Sequence, residues 1–184
     1  MTPETMQQFP AITTVLKDGT QAIIRPLMPE DGEALGDLYE SMPREDVRFY
    51  FPHQLDRAHA LANAAKAFSP LEVVLVLETP AQRVAGYAWY RWTEEDASRS
   101  VFGICIGRAC QGRGAGRALM TRLAQIAEKV GPPVMTLTVQ EANPRAVALY
   151  QSMGFSIVRA QIRQEMEGHG FPPEPEYLME RRVR

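Results

Sequence analysis

Apolar, β-branched and aromatic residues are concentrated in short stretches that polar turns separate, a pattern typical of β-strands. Strands are predicted at 11–16, 21–25, 71–77, 83–92, 98–106, 134–139, 156–162 and 177–183. Other stretches repeat apolar residues at helical spacing, and in one of them Leu119, Leu123 and Ile126 share a face. Further helices are expected after Pro29, Asp56 and Asn143. The pattern predicts one α/β domain over residues 11–184, preceded by a flexible segment, 1–10.

A glycine-rich stretch, from Gln111 to Gly116, joins the strand at 98–106 to the helix that follows it. Glycine lets the backbone bend without a Cβ clash and lets another group approach closely. The first amides of the helix have no partner within the helix, and the helix dipole is positive there. We therefore expect an anion site in this turn, with a phosphate or pyrophosphate as its ligand.

The spacing of the glycines separates the families that use such a turn. A P-loop requires Lys-Ser/Thr after its last glycine, but Arg117-Ala118 follows Gly116. A dinucleotide fingerprint requires another glycine three residues after Gly114, where Arg117 stands. The remaining pattern, Gln-x-x-Gly-x-Gly, resembles the acetyl-coenzyme A loop of the GCN5-related N-acetyltransferases. A purely structural glycine turn is the alternative.

A second stretch carries the same resemblance. After the strand at 134–139 come Asn143-Pro144-Arg145, a helix that contains Tyr150, and then Gly154-Phe155. Asn143 suits the helix N-cap, Pro144 its first position and Gly154 its end. The order strand, Asn, helix, Tyr, Gly-Phe resembles the later motif of that family. The resemblance covers residues 69–179, and residues 16–51 more loosely resemble the start of bacterial protein-lysine acetyltransferase domains.

The resemblance implies an α/β (α+β) fold with a mixed, mostly antiparallel sheet of six to seven strands and about four flanking helices. It implies transfer of an acetyl group from acetyl-coenzyme A to a primary amine of a protein or small molecule, by direct attack of the amine on the thioester. Tyr150 stands where the family places the acid that protonates the leaving thiolate; a buried core aromatic is the alternative. The implied coenzyme-binding residues are Ile104, Cys105, Ile106, Gln111, Gly112, Arg113, Gly114, Ala115, Gly116, Arg117, Asn143 and Tyr150. Within this set, Arg113 and Arg117 are either phosphate ligands or simply solvated, and Asn143 either binds the coenzyme, caps its helix, or does both.

The general base is not identified by the sequence. Lysine acetyltransferases of this type usually carry a glutamate on the central strand, but Ser100, Val101 and Phe102 occupy that neighbourhood. Glu72, Glu141 and His53 are alternatives, as is ordered water. The missing carboxylate leaves a second hypothesis open, a coenzyme A-binding sensor or scaffold with little or no activity.

Two further segments are candidates for the acceptor cleft. The aromatic segment 44–55 either borders that cleft or fills the edge of the core, and the Gly/Pro/Glu-rich loop 165–175 is expected to be mobile and to approach the acceptor. In the strand at 83–92, alternation predicts Tyr87, Trp89 and Arg91 on one face and Ala88, Tyr90 and Trp92 on the other.

Composition and charge argue against several other classes of protein. A formal net charge of −2 argues against a nucleic-acid binder. Cys105 and Cys110 suggest no disulfide framework, and with His53, His59 and His169 they form no metal-ligand pattern. No apolar run is long enough to span a bilayer and no signal-peptide pattern is present, so a cytoplasmic enzyme without a membrane partner is expected. A homodimer is compatible with the sequence, which does not fix the oligomeric state.

Overall fold

The computed structural model describes residues 1–50, 52–165 and 170–184. Within these ranges eight strands form one sheet in the order β1-β2-β3-β4-β5-β6-β8-β7. The strands are β1 (Ile12–Val15), β2 (Gln21–Pro26), β3 (Glu72–Thr79), β4 (Gln82–Arg91), β5 (Arg99–Ile106), β6 (Val134–Gln140), β7 (Ser156–Arg163) and β8 (Glu174–Arg182). The helices are α1 (Pro3–Gln8), α2 (Gly32–Glu40), α3 (Arg44–Val47), α4 (Arg57–Ala65), α5 (Ala115–Ala127) and α6 (Pro144–Ser152), with 3-10 turns at Pro29–Asp31 and Arg108–Cys110.

The mixed, mostly antiparallel sheet is confirmed, since β5 and β6 are parallel and the other neighbours antiparallel. The count of six to seven strands was too low. Both strands of the N-terminal hairpin join the sheet, because β2 pairs with β3 as well as with β1. The hairpin turns at Asp18-Gly19, where Gly19 has φ 86° and the Asp18 carboxylate accepts a hydrogen bond from Thr20 N.

The first residues contain α1, which the sequence analysis did not anticipate. Thr2 caps this six-residue helix, and the Met1 side chain is buried. The Met1 nitrogen donates hydrogen bonds to Ala67 O at 2.7 Å and to Ser69 O at 2.8 Å, just after α4. A helix this short contains too few turns for an apolar stripe to be recognised.

Each face of the sheet has its own hydrophobic core. On one face, α5 packs Leu119, Leu123 and Ile126 against strand residues such as Leu75 and Leu77. On the other face, α2 and α4 cover a cluster that consists of Leu35, Leu38, Tyr39, Ala60, Val74, Val76, Tyr87 and Trp89 with their neighbours. The predicted alternation along β4 is confirmed, because Tyr87 and Trp89 join the second core while Ala88 and Tyr90 join the first.

A gap opens between the two parallel strands in the middle of the sheet. Their pairing runs only from Arg99↔Val134 to Val101↔Thr136, although β5 continues to Ile106 and β6 to Gln140. Beyond that point β5 stays paired with β4 as far as Ile106↔Gly86, and β6 stays paired with β8. Part of the β5 edge is therefore left without a neighbouring strand, directly before the glycine-rich turn.

Candidate active site

The glycine-rich turn adopts the conformation that its glycines allow. Gly112 and Gly114 have φ values of 75° and 92°, a region that residues with a Cβ rarely adopt. Gly114 is the N-cap of α5, and no side chain caps this helix. The chain thus turns sharply from the end of β5 into α5, with the N-terminus of the helix at the gap.

The turn presents a row of free backbone donors. Among the described residues, none accepts a hydrogen bond from the backbone amides of Gly112, Gly114, Ala115, Gly116 or Arg117. Such groups at the start of a thirteen-residue helix form an anion site, because the N–H groups and the helix dipole act together. The turn therefore fits a phosphate or diphosphate group.

The polar side chains of this turn form hydrogen bonds and ion pairs with other segments of the protein and do not point to the free backbone amides. Gln111 Nε2 donates to Ile106 O and to an Asp46 carboxylate oxygen, both at 3.1 Å, which ties the turn to β5 and α3. Arg113 pairs with Asp18 at 2.5 Å, and Arg117 donates to Ser152 Oγ at 2.8 Å. Both arginines thus have protein partners in α6 or the β1–β2 turn, an arrangement that neither alternative from the sequence described.

Arg145 is a neighbour of the turn that the sequence analysis passed over. A Cβ placed on Gly112 would lie 3.0 Å from one terminal nitrogen of the Arg145 guanidinium. The Arg145 side chain is exposed, and no hydrogen bond or ion pair links it to another residue in the described ranges. In the sequence, the position of Arg145 in the Asn-Pro-Arg segment was the only indication that it could contribute to the site. Its proximity to the turn depends on the pairing of β6 with β5, which brings the start of α6 close to Gly112.

Ile104, Cys105 and Ile106 lie on the length of β5 that β6 does not pair. A Cβ on Gly116 would be 3.8 Å from Ile106 and 3.9 Å from Ile104, so the start of α5 stands directly above these two residues. Cys105 points to the opposite face and is buried. Burial, together with the nearby Asp46 carboxylate, raises the pKa of the Cys105 thiol to about 12, which keeps the sulfur protonated at neutral pH.

Asn143 and Tyr150 belong to α6, on the same side of the sheet as the turn. Asn143 caps the helix, and its side-chain oxygen accepts a hydrogen bond from Ala146 N at 3.2 Å. Tyr150 packs edge-on against Phe102 of β5, with ring centroids 6.1 Å apart. Its hydroxyl makes no hydrogen bond within the described ranges, and burial raises its pKa, so the hydroxyl stays protonated at neutral pH.

The carboxylates considered as bases lie away from the gap. Glu72 is buried, and Arg91 Nε donates to one of its oxygens at 2.5 Å. The register pairs Glu72 of β3 with Arg91 of β4, and Arg91 with Val101 of β5, so strand β4 lies between Glu72 and β5. Glu141 is exposed just beyond the end of β6. Neither arrangement brings a free carboxylate to the unpaired edge of β5.

The face opposite α5 carries aromatic side chains next to the same gap. A Cβ on Gly103 would lie 2.5 Å from the Trp89 indole, so the ring of Trp89 covers this glycine of β5. Trp89 Nε1 donates to the hydroxyl of Tyr50 at 3.1 Å, and Tyr50 contacts His53. The segment 44–55 therefore reaches the gap through Tyr50, although Phe51 lies outside the described residues. In the loop 165–175, positions 166–169, including His169, are also outside them.

Comparison with known proteins identifies the family to which this chain belongs. The sequence profile of the acetyltransferase (GNAT) family matches residues 34–155. The chain belongs to this family. It is an acetyl-coenzyme A-dependent N-acetyltransferase.

Two groups of relatives illustrate the range of the family. The chain is 32% identical over 115 residues to the ribosomal protein bS18-alanine N-acetyltransferase of Escherichia coli K12, covering 61% of this chain and 75% of that protein. It is 28% identical over 154 residues to the mycothiol acetyltransferase of Jonesia denitrificans, covering 78% of this chain and 49% of that protein.

Solved structures share the fold. The GNAT domain of S. lividans PAT superimposes with a TM-score of 0.72 at 20% identity, over 92% of this chain and 95% of that one. A Salmonella typhimurium structure that contains acetyl-CoA also gives a TM-score of 0.72, at 22% identity over 89% of this chain and 94% of that one. No helix in the described part of the chain is both long and apolar enough to cross a membrane.

Proposed function

We propose that the two reactants meet at the β5–β6 gap from opposite faces of the sheet. The acetyl donor lies on the side of α5 and α6, and a primary amine enters from the side of Trp89 and Tyr50. The observation that carries this proposal is the position of the free amides of 112–117, next to the unpaired edge of β5. When the diphosphate of acetyl-coenzyme A is bound there, its pantetheine arm can extend along that edge of β5.

Most of the predicted coenzyme-binding residues have a role in this arrangement. The amides of Gly112, Gly114, Ala115, Gly116 and Arg117 bind the diphosphate, and Arg145 adds a positive charge beside Gly112. The edge formed by Ile104, Cys105 and Ile106 pairs with the amide groups of the pantetheine arm. A backbone N–H at the gap polarises the thioester carbonyl. Tyr150 donates its proton to the leaving sulfur, whose thiol has a pKa near roughly 8.5.

The acceptor is a primary amine whose identity the fold does not specify. By their names, one of the relatives described above is an alanine N-acetyltransferase of ribosomal protein bS18 and the other is a mycothiol acetyltransferase. A direct test measures coenzyme A release from acetyl-coenzyme A with a panel of amines: peptides that begin with alanine, peptides that contain lysine, polyamines and amino sugars.

Amine-dependent thiol release with any member of the panel, together with the matching acetylated product in a mass spectrum, would support the proposal. Tight coenzyme binding with no turnover on any amine would instead favour the sensor hypothesis. Protection against thermal unfolding by ATP or NAD, but not by coenzyme A, would refute the assignment of the turn. Sedimentation analysis of the same preparation determines the oligomeric state, for which a homodimer is compatible with the sequence.

A further inference from the structure

On the face of the sheet opposite α5, a line of hydrogen bonds runs from the buried Trp89 through Tyr50 and His53 towards the surface. The Trp89 indole donates to Tyr50 Oη at 3.1 Å, and Tyr50 Oη lies 3.2 Å from His53 Nε2. The other ring nitrogen, His53 Nδ1, lies 2.7 Å from Gln54 O. Tyr50 is buried and His53 is only half-buried, so the line connects the interior with solvent.

The chemistry of the partners fixes the direction of each bond. A carbonyl oxygen only accepts, so His53 Nδ1 carries the proton that reaches Gln54 O. In the neutral ring Nε2 is then an acceptor, and it receives the Tyr50 hydroxyl proton. Asn63 Nδ2, at 3.2 Å, donates to the same nitrogen. Tyr50 accepts from Trp89, donates to His53, and keeps one lone pair for a further donor.

The inner end of this line lies at the gap. The indole nitrogen of Trp89 would be 2.9 Å from a Cβ on Gly103, and Gly103 belongs to the length of β5 that β6 does not pair. The Tyr50 hydroxyl is one hydrogen bond further from Gly103. Through Trp89, the Tyr50 hydroxyl is therefore held next to the face of the gap that lies opposite α5.

We propose that Tyr50 and His53 form the route by which the acceptor amine loses its first proton, an inference that rests on the proposed function. The ammonium group donates to Tyr50 Oη, and as its proton moves to that oxygen the Tyr50 hydroxyl proton moves to His53 Nε2. The neutral amine attacks the thioester carbonyl carbon, the C–N bond forms and the C–S bond breaks. The sulfur takes a proton from Tyr150, which recovers one from the nitrogen, and His53 releases its proton to solvent.

The surroundings of His53 suit a proton acceptor at neutral pH. Burial is the main cause that lowers the pKa of its imidazole, and Arg91 in β4 and His59 in α4 act in the same direction. The hydrogen bond to Gln54 O is the largest cause that opposes them, and Asp56, the N-cap of α4, also raises this pKa. The Tyr39 ring from α2 and the His59 ring pack against His53, with centroid distances of 5.4 and 5.5 Å. The ring is consequently neutral at pH 7 and free to accept a proton.

The first test compares His53→Gln with His59→Gln in the assay of amine acetylation. Glutamine at position 53 removes the proton acceptor, whereas His59 stacks on His53 without joining the line to Tyr50. At pH 7 we expect His53→Gln to lower kcat/KM for the amine about 100-fold, and His59→Gln to change it less than twofold. The deficit of His53→Gln should shrink as the pH rises towards the pKa of the amine, because the neutral amine then needs no base. Coenzyme A affinity should stay constant in both variants.

A second readout needs no turnover. In ¹H–¹⁵N spectra of the coenzyme-free protein at pH 7, we expect the His53 ring to be neutral with its proton on Nδ1. Tyr50→Phe should move the Nε2 resonance, lower kcat/KM and give the same pH profile as His53→Gln. Added imidazole should partly restore the activity of His53→Ala.

The outcomes separate the two proposals. A wild-type protein that acetylates no amine would refute the proposed function itself. An active wild type with an unchanged pH profile in His53→Gln would refute only the proton route, as would a His53 ring protonated on Nε2. Thermal melting curves show whether each variant is folded before its rate is interpreted.

Discussion

Two glycines with left-handed backbone conformation shape the proposed diphosphate site. Gly112 lies under the Arg145 guanidinium, and Gly114 begins α5. A side chain at either position meets an unfavourable φ, and at Gly114 it also points towards Lys17, 3.6 Å away. The effect of a substitution therefore combines backbone strain with what the new side chain places at the anion site.

Gly114→Asp should abolish measurable coenzyme A binding, or weaken it by about 100-fold or more, because it sets a negative charge beside the diphosphate and disturbs charge-assisted hydrogen bonds of roughly 1.5–3 kcal/mol each. Calorimetric titration provides the measurement. Gly19→Asp is the matched control, since Gly19 has a similar φ of 86° with no atom near its Cβ position. Retained affinity in Gly114→Asp would show that the anion site lies elsewhere.

Tyr150→Phe should lower kcat by about 100-fold while leaving coenzyme A affinity unchanged, because it removes a proton donor and keeps the ring contacts with Phe102 and Phe155. Steady-state kinetics with an active amine, together with titration of coenzyme A, measure both quantities. Unchanged turnover would assign Tyr150 to the core alone.

At the scale of elements, the side chain of Trp89 in β4 packs closely over Gly103 of the neighbouring strand β5. The Trp89 ring lies flat on Gly103, and Arg91 stacks on the same indole with its guanidinium carbon 4.3 Å from the ring centroid. Trp89 also positions Tyr50 by its hydrogen bond. A change in β5 at this position is thus transmitted directly to the segment that follows α3.

Gly103→Ala should destabilise the protein by about 1–3 kcal/mol, because its methyl group would lie 2.5 Å from the Trp89 ring and the indole would have to move. Urea unfolding followed by circular dichroism measures the loss, and tryptophan fluorescence reports the displacement. Gly116→Ala is the control, since its methyl group would make an ordinary 3.5 Å contact with Leu149 and alanine favours a helix by up to about 1 kcal/mol. Equal stabilities would contradict this account of Gly103.

At the scale of the whole molecule, a buried carboxylate joins the N-terminal hairpin to the centre of the sheet. Asp31 is fully buried and receives hydrogen bonds from Arg25 of β2, Arg83 of β4 and Met28 N. Burial alone would raise the pKa of this carboxyl, but the hydrogen bonds from Arg25, Met28 and Arg83 outweigh it, and the pKa is lowered. The ionised form is therefore the one that stabilises the fold.

Asp31→Asn should reduce the free energy of unfolding by about 2–3 kcal/mol at pH 7, since the mostly buried Arg25 then keeps only Glu78 as its counter-charge and the half-exposed Arg83 loses its ion pair. The stabilising contribution is present above the unfolded-state pKa of about 3.9 and is lost as the pH falls through the lower folded-state value. The difference between wild type and variant in urea unfolding should therefore shrink below about pH 4.

Asp37→Asn is the control for this prediction, because Asp37 forms an exposed ion pair with Arg57 and its loss should have little effect. A difference between wild type and Asp31→Asn that stays constant from pH 7 to pH 3 would contradict a role for the ionised carboxylate.

Much of the fold, and the part of the site proposed to bind acetyl-coenzyme A, could be predicted from the sequence because the features involved are local. The glycines of 112–116, the cap at Asn143 and the stripe of Leu119, Leu123 and Ile126 each act through neighbours within a few residues, so their pattern predicts their conformation. The acceptor side is different, and so is the position of Arg145 on the donor side. The contacts of Arg145 with Gly112, of Trp89 with Gly103 and of Tyr50 with Trp89 join residues that are 33, 14 and 39 positions apart in the sequence.

What the sequence determined by itself is therefore the glycine turn, the helix that begins there and the order of strands and helices around it. Only the tertiary structure decided where β5 and β6 part, that Arg113 and Arg117 bind protein partners, and which aromatic residues reach the gap. The physical reason is that capping and glycine conformations are local free energies, whereas strand register and side-chain packing depend on which distant segments the fold brings together.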